Sequence, residues 1–305
     1  MFFHFVHDLP LLIILHLTFA VFNVEMEGSL GYSLNVMGIE AFRERARKVR
    51  KRILEAIHHA GTGHPGGSLS CVDILVYLYF KEMRIASWED PDRDRFILSK
   101  GHSCPALYAV LVEKGFIPED ELMRLRKTGA MLQGHPEMGI PGVEAPSGSL
   151  GQGFSFALGV ALAAKRLKKD FRVYVLLGDG ECNEGEVWEG AMFGAHHRLD
   201  NLVAIVDYNK LQSDNYCENI TALEPLADKW RAFGWHVIEI DGHDFGQIAF
   251  AFDMAKKIKK KPACIIAHTI KGKGVSFMEN DPSWHGSRAP TKEELERALQ
   301  ELEGI

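Results

Sequence analysis

The chain has 305 residues, 46% of them hydrophobic and 25% charged, with a formal net charge of −6. That composition supplies a full globular core and excludes disordered and collagen-like chains, while the acidic balance lacks the electrostatic footprint of a nucleic-acid binder. Five cysteines, far apart and without a CxxC pair, argue against a disulfide scaffold or a thiolate zinc site and for a reducing compartment. In chain order, residues 9–24 come first, an uncharged run that contains Pro10, His16, Thr18 and Asn23. A membrane span needs about 20 apolar residues, and a signal peptide needs a basic start, whereas the first Lys or Arg here is Arg43. Residues 1–36 therefore read as an extension outside the fold, with Met26 or Met37 as the working start. An extra buried helix and a membrane tether are the alternatives.

Residues 37–305 read as one large domain. A helix rich in Arg and Lys is predicted over 39–59, and an apolar helix over 69–83. Four short runs rich in β-branched residues follow: Arg172–Leu177, Leu202–Tyr208, His236–Ile240 and Ala263–His268. Their nearly continuous apolar character suits strands buried on both faces, and helical patterns separate them. The expectation is a doubly wound α/β fold, a mainly parallel sheet with helices on both faces. The lysines within 256–261 read as the solvated end of a helix.

The sharpest local signal is Leu177-Gly-Asp-Gly180, with Asn209 just past the next predicted strand. The 30-residue separation of Asp179 and Asn209 is the length of one βαβ unit. If the two strands are neighbours, both side chains emerge at the carboxyl edge, where open α/β sheets bind ligands. A carboxylate and an amide oxygen are hard ligands for Mg²⁺ with bound phosphate oxygens. The glycines allow close backbone approach, and a helix N-terminus follows. A plain strand-to-helix turn is the competing explanation of the tripeptide.

The Gly-Asp-Gly and Asn pair resembles the thiamine-diphosphate motif. Further segments narrow the resemblance: Gly63-His-Pro-Gly-Gly67, Ser99-Lys-Gly-His102, Gln133-Gly-His-Pro-Glu137, Gly148-Ser-Leu-Gly-Gln-Gly153, and Ile270-Lys-Gly-Lys-Gly274 ahead of Ser283-Trp-His-Gly286. All are similar to transketolase segments and stand in the transketolase order, from residue 39 to about 290. The resemblance covers only the first domain of that family, the one that holds the diphosphate. It implies the N-terminal subunit of a split transketolase, with thiamine diphosphate and Mg²⁺ (or Ca²⁺ or Mn²⁺) as cofactors. The implied partner is a C-terminal subunit carrying the pyrimidine-binding half, two copies of each. The implied substrates are ketose and aldose phosphates of the pentose phosphate pathway, and the implied location is the cytoplasm.

The resemblance also implies residue roles. Asp179, Asn209 and the Leu211 carbonyl match the metal ligands, and Gly180 lies against the diphosphate. His64, His102, His135 and His285 match histidines around the thiazolium and the sugar hydroxyls, and Lys271 matches a lysine near the cofactor. Leu150 matches the apolar residue under the thiazolium, with Gly148 near the aminopyrimidine. Glu184 and Glu189 match acidic residues at the subunit interface, although acidic residues early in a helix need no such role. Proton movement on sugar hydroxyls suits imidazoles near their ordinary pKa. Two positions depart from some family members: Gly67 stands where they carry Ser, and Ser213 where they carry Gln, with Gln212 one step earlier. Rival readings are a ketol transferase for another sugar and a non-catalytic half that keeps the fold. Enzymes forming deoxyxylulose phosphate and oxo-acid dehydrogenase α-subunits share the Gly-Asp-Gly and Asn pair, but fit the histidine segments less well.

Overall fold

The computed structural model describes residues 36–213 and 215–304; the expectations for residues 1–35 lie outside them. Five strands form one wholly parallel sheet in the order β1-β2-β3-β5-β4. They are β1 (Arg95–Leu98), β2 (Val173–Gly178), β3 (Leu202–Tyr208), β4 (His236–Asp241) and β5 (Ala263–His268). The four expected strands are present within a residue or so of their predicted bounds. The short β1 was not among them.

The pleat sends alternate side chains to opposite faces. On one face Val173, Val175, Leu177, Ala204 and Val206 join a core with Phe154, Val187 and Trp230. Those three come from α6 (Gln152–Arg166), α7 (Gly185–His196) and α9 (Leu226–Ala232). On the other face Tyr174 meets Phe252 edge-on at 5.8 Å, and Phe252 stacks on Tyr77 at 5.9 Å. Phe252 belongs to α10 (Phe245–Lys257), which links β4 to β5, and Tyr77 ends α3 (Val72–Tyr77). Because β5 returns between β3 and β4, a right-handed crossover carries α10 to the face opposite α6, α7 and α9. Both faces are therefore covered, as the apolar strands require.

The remaining helices are α1 (Val36–Ala60), α2 (Pro65–Ser70), α4 (Cys104–Glu113), α5 (Asp120–Met123), α8 (Cys217–Ile220) and α11 (Lys292–Glu303). The single apolar helix expected over 69–83 is instead α2, α3 and a π-helical turn, Leu78–Glu82, broken at Cys71. The break lets Ser70 turn inward to Asp207 on β3, 2.6 Å away. Of the lysine cluster, only Lys256 and Lys257 are helical; Lys256 is bonded to Glu82 and Asp253 rather than simply solvated. Among the described residues no helix is long and apolar enough to cross a membrane.

Candidate active site

β2 and β3 are direct neighbours, with Gly178 opposite Asp207, so Asp179 and Asn209 leave the sheet side by side at its carboxyl edge. Asp179 is 2% exposed and Asn209 8%. The Gly180 N–H donates to Asp179 Oδ1 at 2.7 Å and the Lys210 N–H to Oδ2 at 2.5 Å. The Leu211 N–H donates to Asn209 Oδ1 at 3.1 Å, while Asn209 Nδ2 donates to Asp207 Oδ2 at 3.3 Å. The amide is thus oriented with its oxygen away from the Asp207 carboxylate. Burial pushes the Asp179 carboxyl up to about 6, the Asp207 charge adding to the push against the two N–H groups.

Beneath this edge lies a charged layer that sequence reasoning did not single out. Lys100 Nζ donates to Asp207 Oδ2 at 2.5 Å and to the Gly67 carbonyl at 2.7 Å. Ser70 and the Thr269 hydroxyl also donate to Asp207. Burial opposes both charges, yet each partner outweighs it: the Asp207 carboxyl stays below its ordinary value and the Lys100 ammonium above it. A second buried carboxylate, Glu181, accepts from Ser99, from the Gly151 N–H at 2.8 Å and from the Gly178 N–H at 3.0 Å. It ties the Gly148–Gly153 segment to the end of β2. Gly151 has φ +89°, a left-handed conformation that a side chain would strain.

Lys271 closes the site from the segment after β5. Its buried Nζ donates to the Leu211 and Gln212 carbonyls, each at 3.0 Å, and to His285 Nδ1 at 2.7 Å. Those bonds use all three ammonium protons, and they leave the ring proton of neutral His285 on Nε2, 3.4 Å from the Ser213 hydroxyl. Burial pushes the Lys271 ammonium down to about 8 against the pull of Asp179.

Three of the four expected histidines come together. The His64, His102 and His285 rings have centroids 5.2, 5.3 and 5.7 Å apart in their three pairings. Gly286 makes this possible, since a Cβ there would fall 2.5 Å from the His64 ring. His135 is not in ring contact with them; its ring lies against Gly148, 3.2 Å from where a Cβ would stand. The expectation of near-ordinary imidazole pKa values is corrected by these surroundings. Burial first, then Arg126, His135 and Lys271, lower His64 to about 4. Burial and Lys271 lower His285 to about 3. Burial with Lys100 sets His102 well below its usual range, and partial burial with Arg126 lowers the exposed His135. All four are neutral rings at pH 7, suited to accept, donate and relay hydrogen bonds rather than to carry charge.

The other expected residues take more peripheral places. Leu150 is half-buried in the turn before α6, Gly148 is exposed, Glu184 precedes the first turn of α7 with no side-chain bond to it, and Glu189 is exposed on that helix. Several buried polar atoms around the histidines and the sheet edge have no hydrogen-bond partner: His64 Nδ1, Ser103 Oγ, Ser147 Oγ and Gln212 Nε2. Unsatisfied buried polar atoms cost stability, and these four are groups that a bound polar ligand would satisfy. Among the described residues no three His, Cys, Asp or Glu side chains are arranged to hold a metal. A cation at the edge would therefore need the mixed set of Asp179 carboxylate, Asn209 amide oxygen and Leu211 carbonyl.

A doubly wound parallel sheet with hard oxygen donors, a buried ammonium and neutral imidazoles at its carboxyl edge defines a ligand-binding α/β enzyme domain. Residues 41–303 match the family described as transketolase, thiamine diphosphate binding domain, and the chain belongs to that family. It is 44% identical over 270 residues to one of the subunits of the apulose-4-phosphate transketolase of Phocaeicola vulgatus, covering 87% of this chain and 95% of that one. It is 47% identical over 266 residues to the 6-deoxy-6-sulfo-D-fructose transketolase subunit SqwG of a Clostridium species, covering 86% and 96%. The structure superposes on the transketolase of Leishmania mexicana with a TM-score of 0.82 at 30% identity, covering 86% of this chain and 41% of that one. The chain thus spans nearly all of the two subunits and under half of the undivided enzyme.

Proposed function

We propose that this chain is the diphosphate-holding subunit of a two-subunit transketolase, which moves a two-carbon ketol unit from a ketose phosphate to an aldose phosphate. The observation that carries the reading is the joining, at one sheet edge, of the Asp179–Asn209 pair with Lys271 and the His64, His102 and His285 rings. The near-complete overlap with two proteins named as transketolase subunits supports a separate partner chain. We place two copies of each subunit in the assembled enzyme, and the enzyme in the cytoplasm.

The residues fit the cofactor. The Asp179 carboxylate, Asn209 amide oxygen and Leu211 carbonyl are hard oxygen donors of the kind Mg²⁺ takes, and would hold it beside the diphosphate. Gly180 lets the Gln212 side chain lie against the backbone, 2.9 Å from where a Cβ would stand, and Gln212 Nε2 and Ser103 Oγ have no hydrogen-bond partner. Bound thiamine diphosphate supplies the electron sink that amino-acid side chains lack.

This chain's own groups then do four things. Lys271 and the metal ligands fix the anionic end. His285, with Nδ1 occupied by Lys271, presents its Nε2 proton. His64 and His102 line the same space as neutral rings able to pass protons between sugar oxygens. His135 flanks the entrance beside Gly148. The absent half would supply the carboxylate that activates the aminopyrimidine. The two related subunits are named for different sugars, which is why the test runs over a panel of ketose donors.

The test is calorimetric titration of thiamine diphosphate with Mg²⁺ into the co-expressed complex, followed by product analysis over a panel of ketose donors. Saturable cofactor binding and two-carbon transfer to at least one aldose phosphate are expected. A complex that binds no cofactor would favour the non-catalytic reading.

A further inference from the structure

A buried charged cluster lies on the other side of the Lys271 segment, outside the site just described. Arg50 on α1 is 8% exposed and grips Asp73 on α3 with both ends of its guanidinium, at 3.0 and 2.7 Å. His243, in the turn between β4 and α10, places Nδ1 2.7 Å from Asp73 Oδ2. Its other nitrogen, Nε2, is 2.9 Å from the backbone nitrogen of Ile270. Arg50 Nε donates to the Lys273 carbonyl at 3.1 Å. The cluster therefore grips the chain immediately before Lys271 and again two residues after it.

The proton positions follow from the donors. A backbone N–H can only donate, so Nε2 must be the bare acceptor and the ring proton must sit on Nδ1, pointing at Asp73. Asp73 is able to accept it, because Arg50 and His243 overcome its burial and hold its carboxyl down to about 2. A carboxylate on Nδ1–H makes the opposite nitrogen a better acceptor. The arrangement is a carboxylate–imidazole dyad whose free nitrogen captures a backbone amide, with Arg50 locking the carboxylate behind it.

We propose that His243 is a positioning residue for the cofactor site: through the Ile270 amide it fixes the strap that carries Lys271, and so sets where the Lys271 ammonium meets the diphosphate end and His285. The inference rests, for its consequence on cofactor, on the proposed function above. Its structural half stands alone. Lys271 makes three directed bonds, and each needs the strap in one place; a free strap would let the ammonium drift from the Leu211 carbonyl and release His285.

Two substitutions separate the dyad's parts. His243→Gln puts an amide oxygen near the place of Nε2 and keeps an acceptor for Ile270, while giving up the Asp73 contact. His243→Asn keeps a donor for Asp73 and loses the acceptor. Hydrogen–deuterium exchange on the full chain, without cofactor, reads the strap directly. We expect the Ile270 amide protected in the parent and in His243→Gln, and exchanging about tenfold or more faster in His243→Asn and His243→Ala. Calorimetry on the co-expressed complex should show thiamine diphosphate with Mg²⁺ bound about tenfold more weakly by His243→Asn than by His243→Gln. Thermal unfolding runs beside both. Equal Ile270 exchange in His243→Gln and His243→Asn would overturn the proposal, as would cofactor affinities that track melting temperature instead of the acceptor. If the parent complex binds no cofactor, the functional reading fails while the exchange pattern still decides whether His243 holds the strap.

Discussion

Replacing Lys100 with Met tests the charged layer under the site most sharply. Lys100 and Asp207 have side chains 2% and 0% exposed, 2.5 Å apart. Met keeps most of the side-chain volume and removes the charge, so Asp207 keeps only its bonds from Ser70, Thr269 and Asn209. Removing one partner of a buried pair costs about 3–5 kcal/mol, because the other charge is left uncompensated. A second route gives the same size. If Asp207 escapes by taking up a proton at pH 7 from an unfolded pKa near 3.9, the cost is about 1.4 kcal/mol per pH unit, or about 4 kcal/mol in all. The two routes predict a common sign. The parent's Asp207 carboxyl lies below its ordinary value, so its stabilisation is complete above about pH 4 and is lost as pH falls through the lower folded value. Lys100 lies above its ordinary value, so its share is complete at neutral pH and lost only in strong alkali. The deficit of the variant should therefore shrink toward about 1.5 kcal/mol at pH 5, where protonating Asp207 is easier. Urea unfolding of parent and variant at pH 7 and pH 5 measures both numbers. The double variant Lys100→Met/Asp207→Asn should recover a good part of the loss. A deficit below about 1 kcal/mol at pH 7, or one that grows as pH falls, would mean that Lys100 does not hold the Asp207 charge in place.

Further outcomes follow from the same geometry. Asp179→Ala and Asn209→Ala should each abolish tight binding of Mg²⁺ and thiamine diphosphate in the assembled complex, and unchanged calorimetric affinity in both would remove the metal assignment. Because burial and the Asp207 charge raise the Asp179 carboxyl to about 6, and it must be ionised to hold a cation, metal affinity should weaken as pH falls below that value, by up to about tenfold per unit. Without metal the folded chain binds more protons than the unfolded chain between about pH 4 and 6, so Asp179 lowers apo stability as pH rises through that window; a cofactor-free stability profile checks it. Deleting residues 1–36 should leave solubility and activity of the complex unchanged, since the matched family begins at residue 41; an insoluble truncation would give the segment a structural role.

Much of this was legible in the sequence because parallel strands buried on both faces leave continuous apolar runs. The apolar runs of β3 and β5 mark those strands to the residue, and the spacing of Asp179 and Asn209 needed only their adjacency, which the register supplies. β1 escaped because four residues, Arg95–Leu98, are too few to show a period and follow a charged stretch. The break at Cys71 escaped because the bond it permits, Ser70 to Asp207, joins residues 137 apart in sequence. Buried ion pairs leave only a faint trace: Asp73 is the one acidic residue in an otherwise apolar helix, and Asp207 the one in an apolar strand. Each of those lone charges proved to be a network centre. The partners Lys100, Arg50 and His243 carry no such mark, since pairing across the fold is set by topology and not by local pattern. The lowered pKa values of the histidines were likewise out of reach, because burial and the approach of Lys271 and Arg126 exist only in the folded chain.

On the proposed function, this chain carries half of a catalytic site and turns over only with the partner's half. The most direct measurement is a coupled assay of ketol transfer from xylulose 5-phosphate, and from a panel of other ketose donors, to ribose 5-phosphate. It is run on this chain, on its C-terminal partner and on the mixture, each with saturating thiamine diphosphate and Mg²⁺. Negligible turnover from either chain by itself and restored turnover from the mixture is the predicted result. Full activity from this chain without its partner, or an inactive mixture that binds no cofactor, would contradict the account.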